Sequence, residues 1–139
     1  MKKFEEFLKK RIIKKQSPNE KRALSLLKEA TNKKEFLEIA LKTITKMNTN
    51  FVCDHSYDII MELIRANMFM LGYNAGGSHE AEVSYLGKLG FSDKEVQVMD
   101  QLRYYRNGIK YYGTILTEEY AKQVLKFLEK IYPKLKKLV

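Results

Sequence analysis

Proline is scarce in this chain, and its scarcity constrains the fold more than any other feature of the sequence. Only Pro18 and Pro133 occur among 139 residues, and both lie near predicted helix ends. A proline inside a helix removes a backbone hydrogen bond, so a chain almost free of proline can form long, uninterrupted helices. No run alternates apolar and polar residues with a period of two, so no strand is predicted. The sequence therefore predicts an all-α protein.

The length, charge and cysteine content limit the class of protein. A chain of 139 residues fits one domain, here residues 1–139, with a sizeable core. The net charge is +9, and residues 1–34 hold 12 lysines and arginines against four glutamates. This excess favours a polyanionic partner, although a lysine-rich surface style explains it equally well. Cys53 is the only cysteine, which excludes an internal disulfide and suits a buried, reduced thiol.

The location of the protein is predicted from what its sequence lacks. The first residues are charged and have no apolar core of a signal peptide. The longest uncharged stretch, residues 66–78, is too short and too rich in glycine to span a bilayer. No cluster of side chains has the spacing of metal ligands. We therefore expect a cytoplasmic protein that binds no membrane, no metal and no cofactor.

The apolar pattern predicts an up-and-down helical bundle with an appended N-terminal helix. Residues 1–15 form a short amphipathic helix that packs on the bundle through an apolar stripe of Phe4, Phe7, Leu8 and Ile12. Residues 17–138 form the bundle itself. Ser17 is predicted to cap a long helix whose apolar stripe reaches Ile44 and which ends at residues 49–50. Asp54 is predicted to cap the next helix, whose nearly continuous apolar surface gives it a central position.

Helix-end signals continue through the second half of the chain. A glycine-rich loop covers residues 72–78, and Ser78 is predicted to cap a short helix after it. Ser92 and Glu95 have the spacing of a capping box, which opens a helix that Gly113 should end. Thr117 is predicted to begin the last helix. Short connections between these helices favour antiparallel neighbours.

One segment, residues 102–113, combines cations, an amide and tyrosines. Arg103, Arg106 and Lys110 are spaced i, i+3 and i+7, so a continuous helix would present them on one face. Three cations on one stripe repel one another unless an anion meets them, and phosphate suits them best. The alternative is a solvated charged face, with the neighbouring tyrosines packed in the core and arginine bridged to acids such as Asp100.

The order of elements and this motif resemble the HEPN family (higher eukaryotes and prokaryotes nucleotide-binding domains). The resemblance covers residues 22–132, including Ser78-His79 after the glycine-rich loop and Arg106-Asn107 followed by Tyr111-Tyr112-Gly113. It implies a bundle of four or five helices that usually forms a homodimer. Many members are metal-independent ribonucleases whose motif has an arginine, a polar residue and a histidine. Tyr111 or Tyr112 stands where that histidine is expected.

The resemblance implies two functions. In the first, the chain binds RNA, a nucleotide or a small nucleotidyltransferase partner, as in toxin–antitoxin pairs. Arg106, Arg103 and Lys110 would meet phosphate, Asn107 would orient it, and Tyr112 would stack on a base or pack at the dimer contact. In the second, Arg106, Asn107 and Tyr111 act as a metal-independent endoribonuclease site at a dimer cleft. Tyrosine, with an ordinary pKa near 10, is a poor base in place of histidine. Of the two histidines, His79 is the better candidate for a binding residue.

Overall fold

Six helices and one two-stranded ribbon make up the computed structural model, which describes residues 1–139. This confirms the predicted all-α helical bundle, since 72% of the chain is helical. In chain order the elements are α1 (Phe4–Lys9), β1 (Lys14–Lys15), α2 (Glu20–Ala40), α3 (Thr49–Leu71), β2 (Tyr73–Asn74), α4 (His79–Lys88), α5 (Asp93–Tyr112) and α6 (Glu118–Lys137).

Helix α3 is the centre of the bundle, as its apolar sequence predicted. It packs against α2, α4, α5 and α6. Most of its residues from Val52 to Phe69 are buried, because apolar side chains surround most of its circumference. A helix of this kind loses its contact with water on nearly every side, so its few accessible positions mark the surface that the other helices leave uncovered.

Long-range hydrogen bonds fix the direction of each helix relative to α3. The side chain of Asn50 accepts from the backbone of Leu116, and that of Asn67 donates to the carbonyl of Leu138, so α3 and α6 run parallel. Asn19 at the start of α2 donates to Phe69 near the end of α3, so these helices are antiparallel. The late residue Arg106 of α5 bonds the early residue Asp54 of α3, which makes this pair antiparallel as well.

The N-terminal helix belongs to the core. Phe4 and Phe7 are buried as predicted, and the Phe4 ring contacts Tyr73 and Tyr85 at centroid distances of 5.2 Å. The predicted stripe was wrong at its end, since Ile12 is exposed and Ile13 is buried. The reason is local: α1 ends at Lys9, and Arg11 adopts a left-handed φ of 61° that redirects the chain.

The ribbon of β1 and β2 is an element that the sequence did not predict. Lys14 pairs with Asn74 and Lys15 with Tyr73, in antiparallel register. Gln16 then donates to the carbonyl of Gly72 at 2.8 Å. These bonds hold the chain extended ahead of α2, so the helix is capped by the side chain of Asn19, and the predicted cap at Ser17 was wrong.

Helix ends with strong local signals were predicted well. Ser78 and Thr117 cap α4 and α6, Ser92 and Glu95 form the capping box of α5, and Gly113 ends α5 with a left-handed φ of 66°.

The junction of α2 and α3 was predicted wrongly. Helix α2 ends at Ala40, well before Ile44, and the eight residues that follow are irregular. Thr49 and Asn50 begin α3 where the sequence predicted an end. Asp54 therefore lies inside α3 and caps nothing, which leaves its carboxylate free for a tertiary partner.

None of the helices combines the length and the apolar character that crossing a bilayer requires.

Candidate functional site

The accessible positions of α3 form one stripe, and this stripe defines the candidate site. Between residues 51 and 65 the positions that are not buried are Phe51, Asp54, His55, Asp58 and Arg65. Their spacing of three, four and seven residues places them on one face of the helix. Helix α2 borders this face through Phe36, which contacts Phe51, and through Lys33, which acts electrostatically on Asp58; α5 borders it through Arg106, with Arg103 near Tyr57. We call it the α3 groove.

Arg106 lies in the α3 groove with two carboxylates of its own chain. Its Nε donates to Oδ1 of Asp54 at 3.0 Å, and a second guanidinium nitrogen lies 3.5 Å from Oδ1 of Asp58. Its side chain is only 13% exposed, and the guanidinium carbon lies 5.1 Å from the centre of the Tyr57 ring. The predicted central cation is therefore held on three sides, by two charges and an aromatic face.

The other two predicted cations lie on the same side of α5 but in different surroundings. Helix α5 is continuous through Tyr112, so the spacing of Arg103, Arg106 and Lys110 does place them on one face. Arg103 donates to Asp100 of its own helix at 2.8 Å, the acid that the alternative interpretation named. Lys110 is exposed and forms no ion pair. Of the three, only Lys110 offers an uncompensated charge.

His79 approaches this site through Tyr57. The hydroxyl of Tyr57 and Nδ1 of His79 are 3.3 Å apart, and the ring of Tyr57 faces Arg106. Burial raises the pKa of Tyr57 to about 12, against the lowering effect of Arg106 and Arg103. The tyrosine therefore stays protonated, and in the tautomer in which it donates to Nδ1 the neutral imidazole carries its proton on Nε2. The structure thus connects His79 to Arg106 by way of one buried side chain.

Asn107 and the two C-terminal tyrosines of α5 occupy a different position. Asn107 and Tyr112 line a shallow depression of about 540 Å³ at the end of α5, together with Tyr104, Tyr105, Gly108 and Thr114. Tyr111 and Tyr112 are 73% and 84% exposed, so neither packs in the core. The structure brings Arg103, Arg106 and His79 around the α3 groove and leaves Asn107, Tyr111 and Tyr112 outside it.

The groove continues into an aromatic cluster at the start of α3. The ring of His55 stacks on Phe51 at 4.8 Å, and Phe36 of α2 lies 5.8 Å from His55. Phe36 is 54% exposed.

Cys53, on the opposite side of α3, is fully buried, and burial raises its pKa to about 12, so it is the inert thiol that the sequence predicted.

Sequence reasoning missed four contributors to the site: Asp54 as an ion-pair partner, Tyr57, Asp58 and Arg65. A signal for three of them is present in the sequence. Asp54, Asp58 and Arg65 are charged positions at i, i+4 and i+11 on a helix that is otherwise apolar, and a buried helix carries charges only where partners meet them. Tyr57 gave no such signal, because it lies on the apolar stripe.

The groove is close to electrically balanced. Lys33 pairs with Glu62, Arg65 with Glu82, Arg103 with Asp100, and Arg106 with Asp54 and Asp58. Four cations thus meet five carboxylates. An external anion entering the centre of the groove must compete with carboxylates that are already bound.

Comparison of the chain with protein-family models, with curated protein sequences and with solved structures finds no match.

Proposed function

We propose that this chain is an HEPN-like helical module that binds RNA or a nucleotide and acts as a homodimer. The resemblance in element order and in the Arg106-Asn107 segment suggests this class. A net charge of +9 supports an anionic ligand, because attraction to phosphates accounts for most of the affinity of proteins for nucleic acids. The resemblance also suggests a small nucleotidyltransferase as a second partner, in a toxin–antitoxin type of module.

One observation carries the proposal: two motif cations and His79 border one groove on α3. Arg106 faces the ring of Tyr57, and the hydroxyl of Tyr57 contacts His79. Since ion pairs leave the groove itself close to electrically balanced, the accessible Lys110 on the same face of α5 would take the phosphate backbone that passes along the surface. Lys110 and the exposed Tyr111 would give the first contacts, the lysine with phosphate and the tyrosine with a base.

The ion pairs of Arg106 favour binding over catalysis. A catalytic arginine must offer its donors to the phosphate in the transition state, and here Asp54 and Asp58 occupy part of the guanidinium. Tyr111 and Tyr112, which replace the motif histidine, lie outside the groove. The chain therefore lacks a general base next to Arg106 on α5.

A metal-independent endoribonuclease is the second candidate, and the position of His79 favours it. Nε2 of His79 is not used in the contact with Tyr57, and in the tautomer in which Nδ1–H donates to the Tyr57 hydroxyl it is the unprotonated nitrogen that a general base requires. In this alternative, α4 supplies the histidine that α5 lacks. Arg106 would stabilise the charge that develops on the phosphate during attack by the ribose 2′-hydroxyl.

The binding test uses fluorescently labelled single-stranded RNA and measures anisotropy over a range of salt concentrations. We expect wild-type protein to bind at low salt. Replacing Lys110 by glutamine should reduce the slope of log affinity against log salt by about 0.7, the share of one phosphate contact with a single strand. Lys122→Gln, an exposed lysine on α6, is the matched control. Absence of binding to RNA and to mononucleotides at low salt would remove the proposal.

The catalytic alternative has its own assay. RNA cleavage is measured in the presence of a chelator with wild-type protein, Arg106→Ala and His79→Ala. The ribonuclease hypothesis predicts cleavage that either substitution lowers by a factor of about 100 or more, as expected for loss of an acid–base group or a charge-stabilising group. Equal cleavage by all three proteins would point to a contaminant.

A further inference from the structure

A cleft at the end of the α3 groove is the strongest unassigned site in the molecule. It encloses about 330 Å³ where the glycine-rich loop meets α2, α3 and α4, which is within the range of small-molecule sites. Its polar lining includes Arg22, Arg65, Asn74, His79 and Glu82. Three elements distant in sequence thus bring two guanidinium groups and an imidazole to one concave surface.

Arg22 differs from Arg65 and Arg106 because it has no carboxylate partner. Its guanidinium carbon lies 4.4 Å from the centre of the Phe69 ring, and it forms no ion pair. Stacking on an aromatic face limits the orientations of the guanidinium and uses none of its N–H donors. The five donors of Arg22 therefore remain available at the mouth of the cleft.

Arg65 and His79 are positioned by neighbouring groups. Glu82 accepts from Arg65 with both carboxylate oxygens, at 2.5 and 3.1 Å, which uses two of the five guanidinium donors. The contact between Tyr57 and Nδ1 of His79 orients the imidazole and leaves Nε2 free, and Nε2 is a donor when Tyr57 donates to Nδ1. Arg22, Arg65 and His79 can thus supply several donors to one ligand without breaking an existing ion pair.

The charge around the cleft is positive. Arg22 and Arg65 face the single carboxylate of Glu82 among the lining residues, which gives an excess of one positive charge without counting His79. The exposed Lys14 and Lys15 pair through their backbone with Asn74 and Tyr73 of the cleft, but their side chains line a separate depression and are not part of this excess. The centre of the groove has no such excess, so an anion is expected at this end of it.

We propose that this cleft binds the phosphate group of a nucleotide, with Arg22 as the main cation and with Arg65 and His79 completing the donor set. The planar fork of arginine matches two phosphate oxygens, and the imidazole N–H suits a third. The phosphate belongs either to a free mononucleotide or to the 5′ end of an RNA strand. The inference rests on the proposed binding of RNA or nucleotides and names where the phosphate is held.

The experiment measures binding of three probes to wild-type protein: AMP, a 5′-phosphorylated RNA oligonucleotide and the same oligonucleotide with a 5′-hydroxyl. Arg22→Gln should weaken binding of the phosphorylated probes at least about tenfold, as expected for loss of a charge-assisted hydrogen bond. Arg22→Lys keeps the charge without the fork and should give a smaller loss. Lys28→Gln removes an exposed, unpaired lysine from the same helix and is the matched control.

A second readout reports on the cleft directly. The chain has only two histidines, so the ring-proton NMR signals of His79 and His55 are easily distinguished. Added AMP or phosphorylated RNA should shift the His79 signal and leave that of His55 in place. Binding of AMP identifies a free nucleotide as the ligand, whereas binding of the phosphorylated oligonucleotide alone identifies an RNA end.

The outcomes separate the two proposals. If wild-type protein binds RNA and Arg22→Gln binds it equally well, the cleft inference is overturned and the proposed function stands. Equal losses for Arg22→Gln and Lys28→Gln would also overturn it, because they indicate only general attraction. If wild-type protein binds none of the probes, both proposals fail. A thermal melt of each variant checks that exposed Arg22 can be replaced without unfolding.

Discussion

Arg106 stabilises the fold by bridging two carboxylates of α3, and any functional assay of this residue must take that into account. It lies between Asp54 and Asp58, which are one turn apart on α3 and repel each other without it. An Arg106→Ala variant would therefore lose stability as well as any contact with a ligand. Adding Asp54→Asn removes one of the two uncompensated charges, so activity that stays absent while stability recovers identifies a functional role for the arginine.

Gly72 is the glycine position at which the fold tolerates an added side chain least. It ends α3 with a left-handed φ of 83°, and a Cβ atom built there would lie 2.3 Å from the carbonyl oxygen of Gln16. We expect Gly72→Ala to lower the free energy of unfolding by more than about 2 kcal/mol, since backbone strain alone costs 1–2 kcal/mol. Urea denaturation of wild-type and variant protein measures the difference.

Gly90 provides the matched control for this prediction. Its φ of 95° is also in the region that favours glycine, but no atom lies within 4 Å of a Cβ built there. Gly90→Ala should cost only the backbone strain, about 1–2 kcal/mol. If the two variants lose equal stability, the close approach between the end of α3 and Gln16 does not constrain the molecule, and the ribbon is looser than the structure indicates.

The capping box of α5 gives the molecule a titratable helix end. Glu95 accepts from the backbone N–H of Ser92 at 3.1 Å, and this hydrogen bond is the main reason why the pKa of Glu95 is lowered from its ordinary value of 4.5. A carboxylate whose pKa is lower in the folded state contributes its stability above the unfolded pKa. That contribution is lost as the pH falls below 4.5 and through the folded value.

We therefore expect Glu95→Gln to lower stability at pH 7 by about 0.5 kcal/mol, the usual value for a charge at a helix N-terminus. The difference from wild type should shrink as the pH falls through the lowered pKa of Glu95, because the wild-type side chain then becomes neutral as well. Urea denaturation at several pH values measures it. Glu119→Gln, in the first turn of α6 and without a capping bond, is the control. A difference that stays constant as the pH falls from 7 to well below 4.5 would contradict the assignment.

The helix ends show which parts of this fold the sequence could predict. The caps at Ser78, Ser92 and Thr117 were predicted because a side chain and a backbone group three residues apart are enough to form them. The start of α3 was missed because Asn48 bonds backward, to the backbone of Thr43 and Thr45, and gives no forward cap. Helix caps formed between residues three apart can be read from the sequence, whereas a cap residue that bonds backward gives no such signal.

Only the α5 side of the site could be predicted from sequence, and its partners on α3 and α4 could not. The cationic face of α5 follows from helical spacing, so Arg103, Arg106 and Lys110 could be grouped from sequence. Their partners could not, because Asp54 lies 52 residues from Arg106 and meets it only when α3 and α5 pack antiparallel. The contact between Tyr57 and His79 likewise depends on how α4 crosses α3. Asp54 was interpreted as a helix cap because the packing of α3 against α5 is not visible in the sequence.

An exposed apolar surface at one end of the bundle is the best candidate for the proposed homodimer contact. Phe36, Ile39 and Met47 are 54%, 72% and 97% exposed, and Phe51 packs against Phe36. Exposed apolar clusters of this kind mark sites of protein association. The cluster adjoins the α3 groove, so two copies that pair through it would place their grooves next to each other. A two-fold contact of this type uses the same residues on both copies.

We expect wild-type protein to sediment as a dimer at micromolar concentration and Phe36→Glu to sediment as a monomer, because a charge in an apolar contact is costly to bury. Phe36 is more than half exposed, so its substitution should leave the fold intact, which a thermal melt checks. Leu71→Glu is the matched control, since Leu71 is 57% exposed and lies about 30 Å from Phe51 along α3. A monomeric wild type, or a dimer that both variants retain, would exclude this surface as the contact.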